Sequence, residues 1–204
     1  MQTIILADGA FPKNDKLLSI LRGADRIICC DGAAEKLLDF GCEPDAIVGD
    51  MDSLSDELKR RFRDRIYPSS DQETNDLTKA VEYCLMQNYR QIAILGATGL
   101  REDHTLGNIS LLADYSLRIE DICLFTDYGR MDAARASKNF ESRPGQQVSI
   151  FSLIPDTNIT AHGLLYPIDN RALTSWWQGT LNEATADNFR LEFDKGCLLV
   201  YRLW

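Results

Sequence analysis

Basic residues are scarce in this chain. Its 22 Lys and Arg stand against 31 Asp and Glu, which gives a formal charge of -9 and a pI of ≈ 4.7. Because no basic excess is available to displace counterions from a nucleic-acid backbone, we expect no nucleic-acid partner. A polyanionic substrate would instead need a metal ion or a focused local site.

Several common sequence signals are also absent. No apolar run is long enough to span a membrane, and the stretch MQTIILADGAFP has no basic segment before its short apolar core. We therefore expect neither a membrane span nor a secretory signal. The six cysteines form no C-x-x-C pair and several lie in apolar runs, which indicates reduced core residues of a cytoplasmic protein. Neither a G-x-x-x-x-G-K-[ST] loop nor a G-x-G-x-x-G fingerprint is present, so the usual P-loop and dinucleotide sites are not supported.

The chain has two different patterns along its length. Up to about residue 125, the strand-like runs TIIL, RIICC, AIV, IY, IAIL and DICLF alternate with helical patterns at 15–22, 33–40, 56–65, 75–87 and 104–115. This alternation predicts an α/β domain with a mostly parallel, Rossmann-like sheet over 1–125. Only strand-like runs separated by turn residues follow, which predicts a smaller all-β domain over 126–204, with the boundary between 126 and 147.

Polar or glycine-rich groups follow four of the predicted strands. They are Asp8-Gly9-Ala10, Asp31-Gly32-Ala33, Asp50-Met51-Asp52 and Gly96-Ala97-Thr98-Gly99. The carboxyl ends of parallel strands open onto one edge of the sheet, so these groups should converge there. Carboxylates and exposed backbone amides are what a phosphate ligand with a bridging Mg²⁺ requires, although a single Asp-Gly pair is more often a turn.

The segment IVGDMDSLSDELK places two carboxylates one residue apart. In an extended chain, Asp50 and Asp52 would project to the same side, and their repulsion would be offset by a cation or by hydrogen-bond donors. The alternative is a solvated turn, with Ser53 or Ser55 capping the next helix. The residues of this segment leave both interpretations open.

Two further segments suit the same edge. Asp76 and Lys79 are three residues apart on a predicted helix and share a face, where they could bind a metal and a phosphate. The alternative is a surface ion pair near a helix start capped by residues among Ser70, Glu73 and Thr74.

In GATGLREDHTLGN, the planar guanidinium of Arg101 suits a phosphate clamp. The same segment continues through Asp103 and His104 to Asn108, and the alternative for His104 is a helix-start histidine bonded to its neighbours.

Five blocks together resemble the thiamine pyrophosphokinase family. They are DGAAEKLL at 31–38, GDMDS at 49–53, DQETNDLTKA at 71–80, GATGLREDHTLGN at 96–108 and GLLYPI at 163–168. The resemblance implies an α/β catalytic domain, a C-terminal β-sandwich and a homodimer with active sites between subunits. It also implies transfer of the pyrophosphoryl group of ATP to the hydroxyethyl oxygen of thiamine, with AMP as the second product.

The resemblance also assigns roles to residues. Asp50, Asp52 and Asp76 match acidic residues that hold Mg²⁺ and phosphates, and Arg101 joins them as catalytic. The implied substrate contacts are Asp31, Gln72, Lys79, Asp103, His104, Asn108, Tyr166, Thr185 and Asn188. Tyr166 would lie against thiamine, although GLLYPI is also a plausible strand and Trp176 or Trp177 could supply the ring instead.

Two other functions compete with this one. Another Mg²⁺-dependent enzyme acting on a phosphoanhydride, such as a nucleotide hydrolase, would use the same acidic edge. A vitamin- or nucleotide-binding module without catalysis would bind its ligand but not turn it over. The products formed from ATP, Mg²⁺ and thiamine distinguish the three.

Overall fold

The computed structural model describes residues 2–204 as two compact units, which divide between Asp127 and Tyr128. The first unit contains a six-stranded parallel sheet in the order β6-β5-β1-β2-β3-β4. Its strands are β1 Thr3–Leu6, β2 Arg26–Cys30, β3 Ala46–Gly49, β4 Ile66–Pro68, β5 Gln91–Leu95 and β6 Asp121–Thr126. Its helices are α1 Asp15–Arg22, α2 Ala33–Asp39, α3 Asp56–Arg61, α4 Asp76–Met86 and α5 Glu102–Tyr115. The predicted α/β fold is confirmed.

The helix starts follow local capping chemistry. Ser55 caps α3 by accepting a hydrogen bond from the Leu58 amide, as one sequence interpretation proposed. The cap of α4 is Asn75, whose side chain accepts a hydrogen bond from the amide of Thr78. The prediction of a cap among Ser70, Glu73 and Thr74 was therefore wrong. Asn suits this position because its side-chain oxygen satisfies one of the unpaired amides of the first turn.

The helix α3 is shorter than the predicted 56–65. It ends at Arg61, and a 3-10 turn, Arg63–Arg65, leads into β4. The residue between them, Phe62, is buried with φ -106°, outside the helical range. We attribute the early end to the burial of this aromatic side chain, which local helical preference does not anticipate.

The second unit consists of two antiparallel sheets that share an apolar core. One has the order β12-β9-β14-β7 and the other β11-β10-β13-β8. The strands are β7 Gly129–Ala134, β8 Lys138–Glu141, β9 Gln147–Ser152, β10 Asn158–His162, β11 Ile168–Ala172, β12 Asn182–Glu183, β13 Asn188–Phe193 and β14 Leu198–Leu203. Phe140 and Phe189 stack at 5.1 Å within a core that also contains Ile150 and Leu198. Each such side chain contributes roughly 1.5–3 kcal/mol by burial, and the predicted β-sandwich is confirmed.

None of the helices within residues 2–204 is both long and apolar enough to cross a bilayer.

Candidate active site

The order of the parallel sheet changes direction at β1. This strand lies between β2, which follows it in sequence, and β5, which comes much later. Ligands of open α/β sheets bind at such a switch point, beyond the carboxyl ends of the strands. The site is therefore expected where the chain leaves β1 and β5.

The two turns that leave β1 and β5 are joined by backbone hydrogen bonds. The amide of Gly9 donates to the carbonyl of Gly96 at 2.6 Å, and the amide of Ala10 donates to the carbonyl of Thr98 at 2.9 Å. A Cβ at Gly9 would lie 2.3 Å from the Gly96 oxygen, which is too close for any side chain. Gly96 itself has φ +69°, a conformation that favours glycine. These glycines let the two turns approach closely enough to form a continuous floor.

A cleft of about 360 Å³ lies at this switch point. Four of the predicted site residues line it, namely Asp76, Arg101, His104 and Asn108. The lining also includes Asp8, Thr98 and Thr105, which were not among the predicted site residues. Asp8 carried a signal in the sequence, since Asp8-Gly9 follows a strand just as Asp31-Gly32 does.

An acidic cluster adjoins the cleft. Asp31 is only 3% exposed and lies at the end of β2, beside Asp76 at the start of α4, and a Cβ at Gly49 would meet both. Burial raises the pKa of Asp31, a hydrogen bond from the Ser53 amide opposes this shift, and the charges of Asp76, Asp50 and Asp8 raise the pKa further. The Oδ1 atom of Asp31 is buried without a hydrogen-bond partner among residues 2–204. The site thus holds converging carboxylates that the protein only partly satisfies.

Lys79 provides a cation for this cluster. Its Nζ donates to Oδ1 of Asp76 at 3.0 Å, and the residue is only 8% exposed. Burial by itself lowers the pKa of Lys79, but the hydrogen bond and charge of Asp76, with the charge of Asp50, outweigh burial and raise it. The ion pair near a helix start that the alternative describes is present, but it is not an ordinary surface pair because the lysine is buried.

The expected extended geometry of Asp50 and Asp52 is wrong. Met51 has φ +68° and is buried, and the amide of Asp52 donates to Oδ1 of Asp50 at 3.1 Å. The segment is a tight turn closed by the Asp50 side chain, not a continuation of β3. Asp50 still acts on Asp31 and Lys79 through its charge, whereas Asp52 is exposed. The segment is therefore a turn, as one interpretation proposed, and Asp50 also belongs to the group of neighbouring carboxylates.

Arg101 and Asp103 form a two-bond ion pair at the rim of the cleft. Nε and Nη2 of Arg101 donate to the Asp103 carboxylate at 3.1 and 2.5 Å. The hydrogen bond from Arg101 and another from the His104 amide lower the pKa of Asp103 to about 2. The guanidinium faces solvent, so its planar donors can exchange Asp103 for an incoming anion.

Asn108 connects two of the segments that line the cleft. Asn108 donates to the Ala97 carbonyl at 2.8 Å and accepts from Asn75 at 3.0 Å, which ties the glycine-rich turn to the start of α4.

Gln72 is exposed on the segment between β4 and α4, where Asp71 accepts bonds from Glu73 and Thr74. In the part of the chain that the structure describes, Gln72 does not line the cleft.

The remaining predicted contacts lie together in the second unit. Tyr166 belongs to the loop between β10 and β11, and the alternative that GLLYPI forms a strand is wrong because β11 begins at Ile168. Tyr166 is 60% exposed, while its backbone makes two bonds with the buried Asn182 side chain, at 3.0 and 2.8 Å. The Thr185 amide donates to Gly163 in the same loop, and the Asn188 carbonyl would lie 3.1 Å from a Cβ at Gly163.

Trp176 and Trp177, which were the alternatives to Tyr166, differ in their contacts. Trp176 donates to the Ser152 carbonyl at 3.1 Å and packs edge-on against Phe151, whereas Trp177 is 73% exposed.

The role of Asn182 could not be predicted from the sequence, because it depends on tertiary contact with the backbone of Tyr166.

Comparison with known proteins agrees with this architecture. The model of the thiamin pyrophosphokinase catalytic domain matches residues 17–124, and that of the thiamin pyrophosphokinase substrate-binding domain matches residues 129–201. A thiamine pyrophosphokinase 1 of Oryza sativa subsp. japonica is 32% identical over 114 residues, which cover 44% of this chain and 43% of that protein. The chain therefore spans less than half of the length of this rice relative.

Bacterial relatives match over a greater length. The thiamine pyrophosphokinase of Bacillus subtilis (strain 168) is 29% identical over 190 residues, which cover 84% of each chain. The crystal structure of thiamine pyrophosphokinase from Bacillus subtilis superposes with a TM-score of 0.82 at 25% identity, covering 100% of this chain and 99% of that one. The resemblance found in the sequence is confirmed, and the chain belongs to the thiamin pyrophosphokinase family, a family of kinases that transfer a pyrophosphoryl group.

Proposed function

We propose that this protein transfers the pyrophosphoryl group of ATP to thiamine and releases thiamine diphosphate and AMP. The observation that carries the proposal is the acidic edge at the switch point, where Asp31 and Asp76 flank Gly49 and Asp76 pairs with the buried Lys79. This edge lies in the unit that matches the catalytic-domain model. Partly unsatisfied carboxylates beside a glycine-floored cleft suit a cation-bridged polyphosphate.

The donor set fits Mg²⁺. Asp50, Asp52 and Asp76 offer hard carboxylate oxygens, and we propose them as the residues that hold the ion. Within residues 2–204, no three Asp, Glu, His or Cys side chains come close enough to make a complete protein site. One or two of the three carboxylates would therefore bind Mg²⁺ directly, and water and substrate phosphates would complete its shell, as is usual for this ion. When bound, the ion supplies charge neutralisation on the phosphate oxygens.

The residues of the chain have distinct roles in the proposed transfer. The hydroxyethyl oxygen of thiamine attacks the β-phosphorus, and the bond from that phosphorus to the α,β-bridging oxygen breaks as AMP leaves with the electron pair. Arg101, released from Asp103, stabilises the negative charge on the transferring group. Lys79 holds the Asp76 carboxylate in place through the bond from its Nζ. The alcohol proton passes to one of the cleft aspartates.

We propose that the second unit binds thiamine. Tyr166 presents an exposed ring on a loop fixed by Asn182, and such a ring suits the cationic thiazolium and the flat aminopyrimidine. Thr185 and Asn188 lie beside the same loop and are proposed as further contacts. Gln72, His104 and Asp103 are proposed as contacts on the nucleotide side.

We further propose a cytoplasmic homodimer whose thiamine sites are completed by the second subunit. The exposed side chains of Leu165, Trp177 and Leu181 support an interface on the second unit, since apolar groups of this size are more stable when covered. Five of the six cysteines are buried, as expected of reduced core residues, which supports a reducing compartment.

One assay tests the proposed reaction. The protein is incubated with ATP, Mg²⁺ and thiamine, and AMP and thiamine diphosphate are quantified together. Equal amounts of the two products are expected. Release of phosphate without any need for thiamine would overturn the proposal in favour of a nucleotide hydrolase, and binding of both ligands without turnover would favour a binding module.

A further inference from the structure

Lys36 makes an unusual set of contacts for a helix residue. It lies on α2, and its Nζ is 2.7 Å from Oδ1 of Asp8, 3.1 Å from the Asp8 carbonyl oxygen and 2.9 Å from the Gly9 carbonyl oxygen. One ammonium group thus uses its three donors on the turn that follows β1. A lysine that only balanced a surface charge would not need two backbone carbonyls as well.

This turn forms part of the floor of the cleft. The Gly9 and Ala10 amides bond to the glycine-rich turn after β5, and a Cβ at Gly99 would lie 2.8 Å from the Cβ of Ala10. Any displacement of Gly9 must therefore displace the turn after β5, which leads on to Arg101 and α5. Lys36 anchors the side of this assembly that faces α2.

The charge of Asp8 also matters at this position. Asp8 lines the cleft, its side chain is 47% exposed, and its charge acts on Asp31. A phosphate donor is a polyanion, so an unpaired carboxylate at the floor would repel it. Pairing with Lys36 removes most of this repulsion.

We propose that Asp8 and Lys36 form a positioning pair that fixes the cleft floor for the phosphate donor. This proposal rests on the proposed function, because it takes the phosphate donor to be ATP. Neither residue is assigned to the chemical step. Lys36 acts through the Asp8-Gly9 backbone, so its loss should weaken donor binding and leave thiamine binding nearly unchanged. A floor held within a fraction of an ångström is what efficient transfer requires.

The test is a mutant cycle read by both kinetics and direct binding. Lys36→Met keeps the length of the side chain and removes its donors, and it should raise the KM and Kd for ATP by about tenfold while the KM for thiamine changes by less than about twofold. Lys36→Arg should restore ATP binding to within about threefold of wild type, because a guanidinium can again reach the carbonyls. Asp8→Asn completes the cycle, and the double variant should be no worse than Lys36→Met alone, since effects of partners in one network are not additive.

A matched control is Lys59→Met, which removes a lysine from the nearby helix α3 and should leave both constants unchanged. Thermal melting of every variant shows whether it is folded. A folded Lys36→Met protein with wild-type ATP binding, an equal rise in both KM values, or additive losses in the double variant would overturn the pairing. If the wild-type protein makes no thiamine diphosphate, the proposed function is refuted. The Asp8–Lys36 pair is then still tested by calorimetry, because ATP binding can be measured without turnover.

Discussion

Asp31→Asn should make the protein more stable and less active. The wild-type side chain is a buried carboxylate among other carboxylates, with its pKa raised mainly by burial and one oxygen left without a hydrogen-bond partner among residues 2–204. Asn has nearly the same shape and keeps an oxygen that can accept from the Ser53 amide. Its amide group brings donors, not a charge, into the acidic cluster.

The size of the gain follows from these contacts. A buried polar atom without a partner costs about 1–3 kcal/mol, and the variant removes both that cost and a poorly solvated charge. Allowing for imperfect geometry of the new amide, we expect a gain of about 1–2 kcal/mol. For a chain of this length, this corresponds to a rise in Tm of about 2–8 °C.

The assay is thermal melting in the presence of a metal chelator, with turnover measured separately in Mg²⁺. Because the folded-state pKa of Asp31 is raised, the wild-type penalty is complete above that pKa and declines as the pH falls through it. The difference in Tm between the two proteins should therefore shrink toward acid pH. Asp39→Asn, at the exposed end of α2, is the control and should change stability by less than about 0.5 kcal/mol. An equal or lower Tm for Asp31→Asn at neutral pH would refute the reasoning.

Three further predictions concern other parts of the two units. Asp50→Asn and Asp52→Asn should each lower kcat by orders of magnitude at saturating Mg²⁺ with little change in Tm, and near wild-type turnover would remove them from the metal site. Tyr166→Ala should raise the KM for thiamine about tenfold and that for ATP much less, with Tyr166→Phe and Tyr166→Trp close to wild type; an unchanged thiamine KM would point to the tryptophans instead. Gly9→Ala should lower Tm and ATP affinity because its Cβ would overlap a carbonyl oxygen, whereas Gly107→Ala, in open space on α5, should raise Tm slightly, and equal effects of the two would contradict the packing argument.

The sequence was most informative where local pattern and sheet topology agree. β-branched runs such as those at β2 and β5 indicated parallel strands, and the topology then placed Asp31 and the glycine-rich turn at one edge. No pattern indicated that Met51 adopts a positive φ, because that conformation depends on burial of its side chain and on a bond to Asp50. The early end of α3 likewise depends on tertiary burial.

Contacts between distant side chains and backbone were the least predictable part of the site. Lys36 reaches Asp8 across 28 positions of sequence, and Asn182 reaches Tyr166 across 16. Such bonds depend on which loops meet in space, and neither residue type nor spacing encodes that directly. Charged and polar residues at strand ends were therefore predictable as candidates, but their partners were not.

The backbone bonds between the turns after β1 and β5 have a consequence for hydrogen exchange. The amides of Gly9 and Ala10 lie beyond the end of β1, yet they are bonded at 2.6 and 2.9 Å, like amides inside the sheet. They should exchange with solvent deuterium only when the parallel sheet itself opens, whereas amides of the exposed residues 70–72 should exchange through local fluctuations. Donor phosphates would then meet a floor already ordered before binding, and association would lose little backbone entropy there.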